Sequence, residues 1–324
     1  LVVLPEQAVL FDHVTKRFAG RAAVRDLSFR VPRGSVYGLL GPNGAGKTTS
    51  IRMLMAILLP DAGRIRVLGG EPTDAVKDRI GYMPEERGLY PSMKVIDNLL
   101  FFGGLHGLAA EDARRRCHAW LERLGMTADA GSRLQELSKG NQQKIQFIAT
   151  ALHGPDLLVL DEPFSGLDPV NQDLMRRTIL ELSRAGTTII LSTHLMDEVE
   201  RLCTHLTLVD SGTALVEGTL DEVKSRWGTD TIRIDVAGDP EPVAALPEVA
   251  EARRIGRSLE LRLHPDRDPS AFLARAAAIA SVRRFEVRAP SLHGIFVQLV
   301  GEARAAAAAR PSGDPEAAPV GGAR

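Results

Sequence analysis

The chain has 324 residues, 44% of them hydrophobic and 25% charged, enough apolar material for a full-sized core and length enough for two domains. A disordered or fibrous chain is excluded. Lys plus Arg number 40 against 41 Asp plus Glu, a formal net charge of −1, so no global field draws the chain toward nucleic acid or anionic lipid, and any phosphate binding must be local.

No stretch free of Asp, Glu, Lys and Arg approaches the ~17–25 apolar residues of a membrane-spanning helix. The opening Leu1-Val2-Val3-Leu4-Pro5 lacks the basic leader and apolar run of a secretory signal, which makes a cytosolic location the expectation. Cys117 and Cys203 sit in amphipathic stretches without C-x-x-C or Cys/His spacing and read as core thiols.

Residues 7–40 alternate apolar and polar positions around turn signals at Ala19-Gly20 and Pro32-Arg33-Gly34, predicting antiparallel strands that end in Val36-Tyr37-Gly38-Leu39-Leu40. A glycine-rich loop follows. Ile51, Leu54, Met55 and Leu58 then recur at i, i+3, i+4 and i+7, predicting a helix over 47–59 that Pro60-Asp61 stops. Residues 94–152 read as a helical subdomain whose Arg114-Arg115-Arg116 cluster is a solvated face. Leu157–Leu160 and Thr188–Leu191 are short, fully apolar runs, the pattern of strands covered on both faces in a mostly parallel sheet. The fold class expected is therefore α/β, with a core domain over 7–223.

Past Trp227 the texture changes to strand-like 231–236, 252–255 and 259–263, a helix over 270–279, a strand over 282–287 and a helix near 292–300, predicting a small α+β domain over 224–301. Residues 304–324, rich in Ala, Pro and Gly, fall in a tail over 302–324 predicted to be disordered.

Gly41-Pro42-Asn43-Gly44-Ala45-Gly46-Lys47-Thr48 matches G-x-x-x-x-G-K-[ST] between an apolar strand and a helix, where the pattern has mechanical meaning. Glycines let successive backbone N–H groups curl around phosphates, and the helix N-terminus adds partial positive charge. A surface lysine's ion pairs are worth about 0–1 kcal/mol; Lys47 against a phosphate at ~4 Å with an effective dielectric of ~20 gains ~4 kcal/mol. Thr48 suits Mg²⁺, and Thr49 continues the donor row. The loop alone does not separate kinase, GTPase and transport ATPase.

Asp161-Glu162 at the end of an apolar strand delivers two adjacent carboxylates, one suited to hold Mg²⁺ and one to deprotonate water. Ser138 with Gly140 opens a helical run, either as a second anion-binding helix start or as an ordinary serine N-cap. Ser192-Thr193-His194 places an imidazole at the sheet's C-terminal edge, where open α/β sheets bind ligands.

In this order, with Ser165-Gly166-Leu167-Asp168, these motifs resemble the ATP-binding subunit of ABC transporters over roughly residues 7–220. The resemblance implies a P-loop ATPase core with an antiparallel β subdomain and a helical subdomain. It also implies two ATP sandwiched in a head-to-tail dimer, with Ser138 and Gly140 of one copy closing over the phosphate loop of the other.

By position, Phe18 is similar to the aromatic that stacks on adenine. Gly41, Asn43, Gly44, Gly46, Lys47, Thr48 and Thr49 form the phosphate cradle, Asp161 and Glu85 join Thr48 toward Mg²⁺, and Glu162 is the general base. His194 becomes the γ-phosphate switch and Asp168 part of the loop coupling the two sites. Glu85 stands where the family usually has Gln, and Lys139 and Asn141 stand where its commonest signature has Gly and Gln. Both departures resemble the bacterial exporter branch of sodium and drug efflux, which has a small C-terminal domain.

With no span in the chain, the resemblance implies separate multi-span permease subunits. They are expected to touch the surface near Arg87–Val95 through exposed Leu89, Tyr90 and Met93, with this chain peripheral on the cytoplasmic face and no nucleic-acid partner. The rival is a soluble ABC-type ATPase acting on nucleic acid or the ribosome. Chromosome-type members need a long coiled coil where residues 94–136 lack sustained heptads, and translation-type members carry two cassettes where one phosphate loop stands here. Residues 224–301 offer no catalytic constellation.

Overall fold

The computed structural model describes residues 6–86, 88–226, 231–256, 258–264, 267–288 and 291–308. The chain divides into two compact units, Leu1–Arg226 and Trp227–Arg324.

In the first unit, β1 (Gln7–Phe18) and β2 (Arg21–Pro32) form an antiparallel hairpin over the Ala19-Gly20 turn. β3 (Val36–Leu40) is buried at every position, so it joins the central sheet instead of extending the hairpin, pairing in parallel with two later strands. This corrects the expectation of antiparallel strands through residue 40, and the reason is burial on both faces. After β3 come the phosphate loop and α1 (Lys47–Leu54).

The helix ends five residues earlier than the apolar spacing predicts, because Ala56 turns left-handed (φ 49°) and the Arg52 carbonyl accepts from Ile57 and Leu58 N–H. The third strand of the antiparallel sheet, β4 (Ala62–Val67), pairs with β1 and buries only Ile65 and Val67, too short an alternation to read in advance.

The short α2 (Asp74–Lys77) and β5 (Ile80–Met83) lead to the helical subdomain: α3 (Val95–Leu105), α4 (Ala110–Arg123) and α5 (Lys139–Ala151). Cys117 is buried in α4, and burial pushes its thiol up to about 11. The chain then alternates: β6 (Leu157–Asp161), α6 (Pro169–Arg184), β7 (Thr188–Thr193), α7 (Met196–Leu202), β8 (His205–Asp210), β9 (Thr213–Thr219) and α8 (Leu220–Arg226).

The six-stranded sheet runs β5-β6-β7-β3-β8-β9, parallel except for its last pair. Its C-terminal edge therefore collects the ends of β3, β5, β6 and β7. Phe11 stacks on Phe29 (4.4 Å between centroids) and Phe29 on Tyr37 (5.8 Å), so one aromatic row ties the three-stranded sheet to the central one.

The second unit is a four-stranded antiparallel sheet, β11-β12-β10-β13, built from β10 (Thr231–Ala237), β11 (Val249–Ile255), β12 (Ser258–Leu263) and β13 (Ser281–Arg288). With α9 (Glu241–Ala244), α10 (Pro269–Ile279) and α11 (Leu292–Ala308), it is the α+β arrangement read from the sequence. Ile232, Ile234, Leu259, Leu261 and Leu263 form its core against Val243 and Phe272. Residues 302–308, expected in a disordered tail, instead continue α11, since Ala is the strongest helix former; residues 309–324 lie outside the described residues.

Candidate functional site

Three chain features shape the phosphate loop. Gly41 (φ 155°), Gly44 (φ 81°) and Gly46 (φ 103°) occupy backbone conformations that side chains resist. A Cβ on Gly46 would lie 2.6 Å from the Ala23 carbonyl oxygen and one on Gly41 2.1 Å from that of Val209, so both positions need close backbone approach as well. The loop is hooked to the β8–β9 turn, where Gly212 N–H donates to the Ala45 carbonyl (2.9 Å).

Asn43 and Gly44 face solvent at the tip. Lys47 is buried and donates from Nζ to the carbonyls of Gly41 (2.7 Å) and Pro42 (3.2 Å), which holds the curl. Burial lowers its pKa, and the carboxylates of Glu162, Asp161 and Glu85 oppose that. Thr48 and Thr49 follow in the first turn of α1, half-buried.

Thr48 Oγ1 donates to Asp161 Oδ2 (3.2 Å), so the loop and the end of β6 meet. Asp161 is 2% exposed; burial raises its pKa, the Ser192 and Thr48 hydroxyls oppose this, and Glu162 adds to it. A carboxylate taken this far out of water is costly unless something positive shares its site. A buried carboxylate, a hydroxyl and a nearby second carboxylate form the hard oxygen donor set that suits Mg²⁺.

Glu162 has φ 48°, a left-handed conformation costing a non-glycine residue about 1–2 kcal/mol. Its N–H donates to the Ser192 carbonyl (2.9 Å), and the bend brings its nearly buried carboxylate to the end of β7. There Thr193 Oγ1 donates to Oε2 (3.0 Å) while the His194 N–H (3.0 Å) and Nδ1 (2.7 Å) converge on Oε1. The tautomer with its proton on Nδ1 donates this bond to a carboxylate oxygen. A base held in a fixed orientation beside a phosphate cradle can take a proton from water attacking the bound phosphate.

The remaining predicted residues lie as follows. Ser138 caps α5, its Oγ accepting from Asn141 N–H (3.2 Å), and a Cβ added to Gly140 would lie 3.2 Å from the Gly166 carbonyl oxygen, so α5's start lies close against the loop 165–168. Asp168 caps α6 by accepting from Val170 (2.9 Å) and Asn171 (3.0 Å) N–H. Phe18 ends β1, 46% exposed, with Lys16 Nζ 5.7 Å from its ring centre.

Glu85 is exposed beyond β5 and acts on Lys47 through its field. Leu89, expected on the surface, is buried: it lines a groove of about 350 Å³ with Met55, Tyr82, Pro84, Phe102 and Gln146, because an apolar side chain in a short loop folds onto the nearest apolar wall. Tyr90 is exposed, Met93 half-buried, and Arg87 lies outside the described residues.

Sequence reasoning missed Gln143 and Gln146 of α5. Gln143 donates to the carbonyls of Glu162 (3.3 Å) and Pro163 (3.2 Å), and Gln146 to that of Pro84 (2.8 Å), bracing both loops that flank the carboxylates. Their only sequence signal was amide side chains at i and i+3 on a face otherwise fit for burial.

A curled glycine loop of phosphate-binding spacing opposite a strained, oriented carboxylate at the C-terminal edge of a mostly parallel sheet is the arrangement of a P-loop nucleotide hydrolase. The ABC transporter family profile matches residues 24–165, and that of the C-terminal domain of DrrA1-3-like ATP-binding proteins matches 218–300. The ABC transporter ATP-binding protein YhaQ of Bacillus subtilis is 40% identical over 290 residues, covering 90% of this chain and 97% of its own. The Nod factor export ATP-binding protein I of Paraburkholderia xenovorans is 37% identical over 304 residues, covering 92% and 98%. The solved structure of an ATP-binding subunit of an ABC transporter superposes with TM-score 0.64 at 28% identity, over 68% of this chain and 93% of that one.

The chain belongs to the ABC transporter ATP-binding proteins. It is a nucleotide-binding, ATP-hydrolysing subunit, and these relatives favour transport over the nucleic-acid or ribosome reading. No helix among the described residues is long and apolar enough to cross a membrane.

Proposed function

We propose that the chain powers export: two copies, or this chain and a homologous ATPase subunit, close head to tail around two ATP and drive separate membrane permease subunits from the cytoplasmic face. The observation that carries the chemistry is Glu162, bent into a left-handed backbone and fixed by Thr193 and His194 beside the phosphate loop. Lys47 and the loop N–H groups hold the β- and γ-phosphates, and Phe18 stacks on adenine. Thr48, Asp161 and Glu85 supply the oxygen donors for Mg²⁺, which when bound neutralises phosphate charge.

Glu162 takes a proton from a water whose oxygen attacks the γ-phosphorus in line; the bond to the β-phosphate oxygen breaks, and ADP and inorganic phosphate leave. His194 senses the γ-phosphate. Ser138 and Gly140 of the second copy complete the cradle, supported by the exposed position of Ser138 and by Val170, 79% exposed just past the Asp168 cap.

Export is supported by the named function of the Nod factor relative, by a relative named as the daunorubicin resistance ATP-binding protein DrrA3 of Streptomyces coeruleorubidus, and by the match to the DrrA1-3-like C-terminal domain. The groove floored by Leu89, with Tyr90 beside it, suits a short helix from the permease. The test is dilution: specific ATPase activity should fall as copies separate, and solubilised membranes should yield a multi-span subunit bound to the chain. Activity per molecule unchanged down to strict monomers sinks the paired site, and co-purifying nucleic acid in place of a membrane subunit sinks export.

A further inference from the structure

We infer that Arg176 and Glu198 are a positioning pair that holds His194 against Glu162 and ties it to the loop 165–168; this rests on the reading of Glu162 as the base. Glu198 lies four residues beyond His194, in the seven-residue α7, whose start has no side-chain cap. A helix this short has little stability of its own, so the orientation of the segment carrying His194 depends on what grips α7 from outside.

Buried Met196, Val199 and Leu202 seat α7 by apolar packing, Val199 against Gly38 of β3; the directional polar grip comes from α6. Arg176 donates from Nε to Glu198 Oε2 (2.7 Å) and from a terminal nitrogen to Oε1 (3.3 Å), a two-pronged fork with side chains only 14% and 9% exposed. In each of the other ion pairs of the described residues at least one partner is more exposed than either of these.

Apolar side chains would bind α6 to α7 as well or better, since removing two charges from water offsets most of their attraction. What a planar fork adds is a fixed orientation. Arg176 also reaches Gln172 Oε1 (3.4 Å), and Gln172 Nε2 donates to the Leu167 carbonyl (3.1 Å), the residue before the Asp168 cap. A continuous polar chain thus runs from 165–168, close against which Gly140 lies, through Gln172, Arg176 and Glu198 to the turn bearing His194. Movement of either loop is transmitted to the other through α6.

The test compares Arg176→Lys, which keeps the charge and loses the fork, with Arg176→Gln, Glu198→Gln and the double variant, in the full chain. The pair predicts kcat lower by about ten- to a hundredfold in each, no further loss in the double variant, and ATP KM within about twofold. Falling thermal midpoints with unchanged kcat per folded molecule would make the pair merely structural and overturn the inference. If Arg176→Gln does not fold, Arg176→Lys alone decides. Glu162→Gln runs alongside: should it keep wild-type turnover, the base assignment fails and takes this inference with it. Should it abolish turnover while Arg176→Lys matches wild type in kcat, only the positioning role is refuted.

Discussion

Replacing Glu162 with Gln separates chemistry from architecture, because the side chain keeps its shape. The carboxylate accepts three hydrogen bonds, from Thr193 Oγ1 and from both nitrogens of His194 that reach it. The amide oxygen can retain both His194 donors, which converge on one oxygen, and the amide NH₂ can donate to Thr193 Oγ1 once that hydroxyl rotates. The variant therefore exchanges charge-assisted bonds of roughly 1.5–3 kcal/mol for neutral ones of roughly 0.5–1.5. Against that loss stands relief from holding a nearly buried charge.

The net change is on the order of 1 kcal/mol, or about 2–4 °C in the midpoint for a unit of this size. Loss of a general base costs roughly 10²–10⁴ in rate, which at 1.36 kcal/mol per decade is about 2.7–5.4 kcal/mol on the barrier. Phosphate release under saturating ATP and scanning calorimetry of the same sample give both numbers. Turnover within threefold of wild type with the midpoint preserved would refute the role of Glu162; a midpoint fall of more than about 10 °C would show that the hydrogen bonds, and not the proton transfer, were being measured.

Two further outcomes follow from geometry. Gly44→Ala meets nothing within 4 Å and suffers only its positive φ, a cost of about 1–2 kcal/mol. Gly46→Ala adds a 2.6 Å approach to the Ala23 carbonyl and should lower the nucleotide-free midpoint further as well as weaken binding of a non-hydrolysable ATP analogue; equal midpoint losses contradict the close-packed loop. His153 stacks on His106 at 3.8 Å, and burial, reinforced by His106, pushes its imidazole down to about 4. With the folded value below the ordinary 6.5, the unfolded chain binds protons first, so stability is full above pH 6.5 and is lost as pH falls toward 4. His153→Phe should flatten that acid limb in urea titrations at pH 7 and pH 4.5, and an unchanged slope speaks against it.

The phosphate loop, the Asp161-Glu162 pair and the apolar runs of β6 and β7 could be read directly because each is local: a glycine spacing, a strand end, a run of buried residues. The small second unit was legible for the same reason, its strands and helices alternating within a few residues of where they lie. β3 was misassigned to the hairpin because period-two patterning says which faces are covered but not which strand lies alongside. Leu89 was misplaced because a lone leucine in a loop gives no sign of the wall it will meet.

By itself the sequence determined the chemistry on offer and the order of its parts, since residue types and spacings survive without coordinates. Only the tertiary structure decided how those parts meet. The convergence of Glu162 with Thr193 and His194, the bracing by Gln143 and Gln146 and the fork between Arg176 and Glu198 all join residues far apart in the chain. They are bonds made in three dimensions, to side chains and backbone carbonyls that the linear neighbours of each residue do not specify.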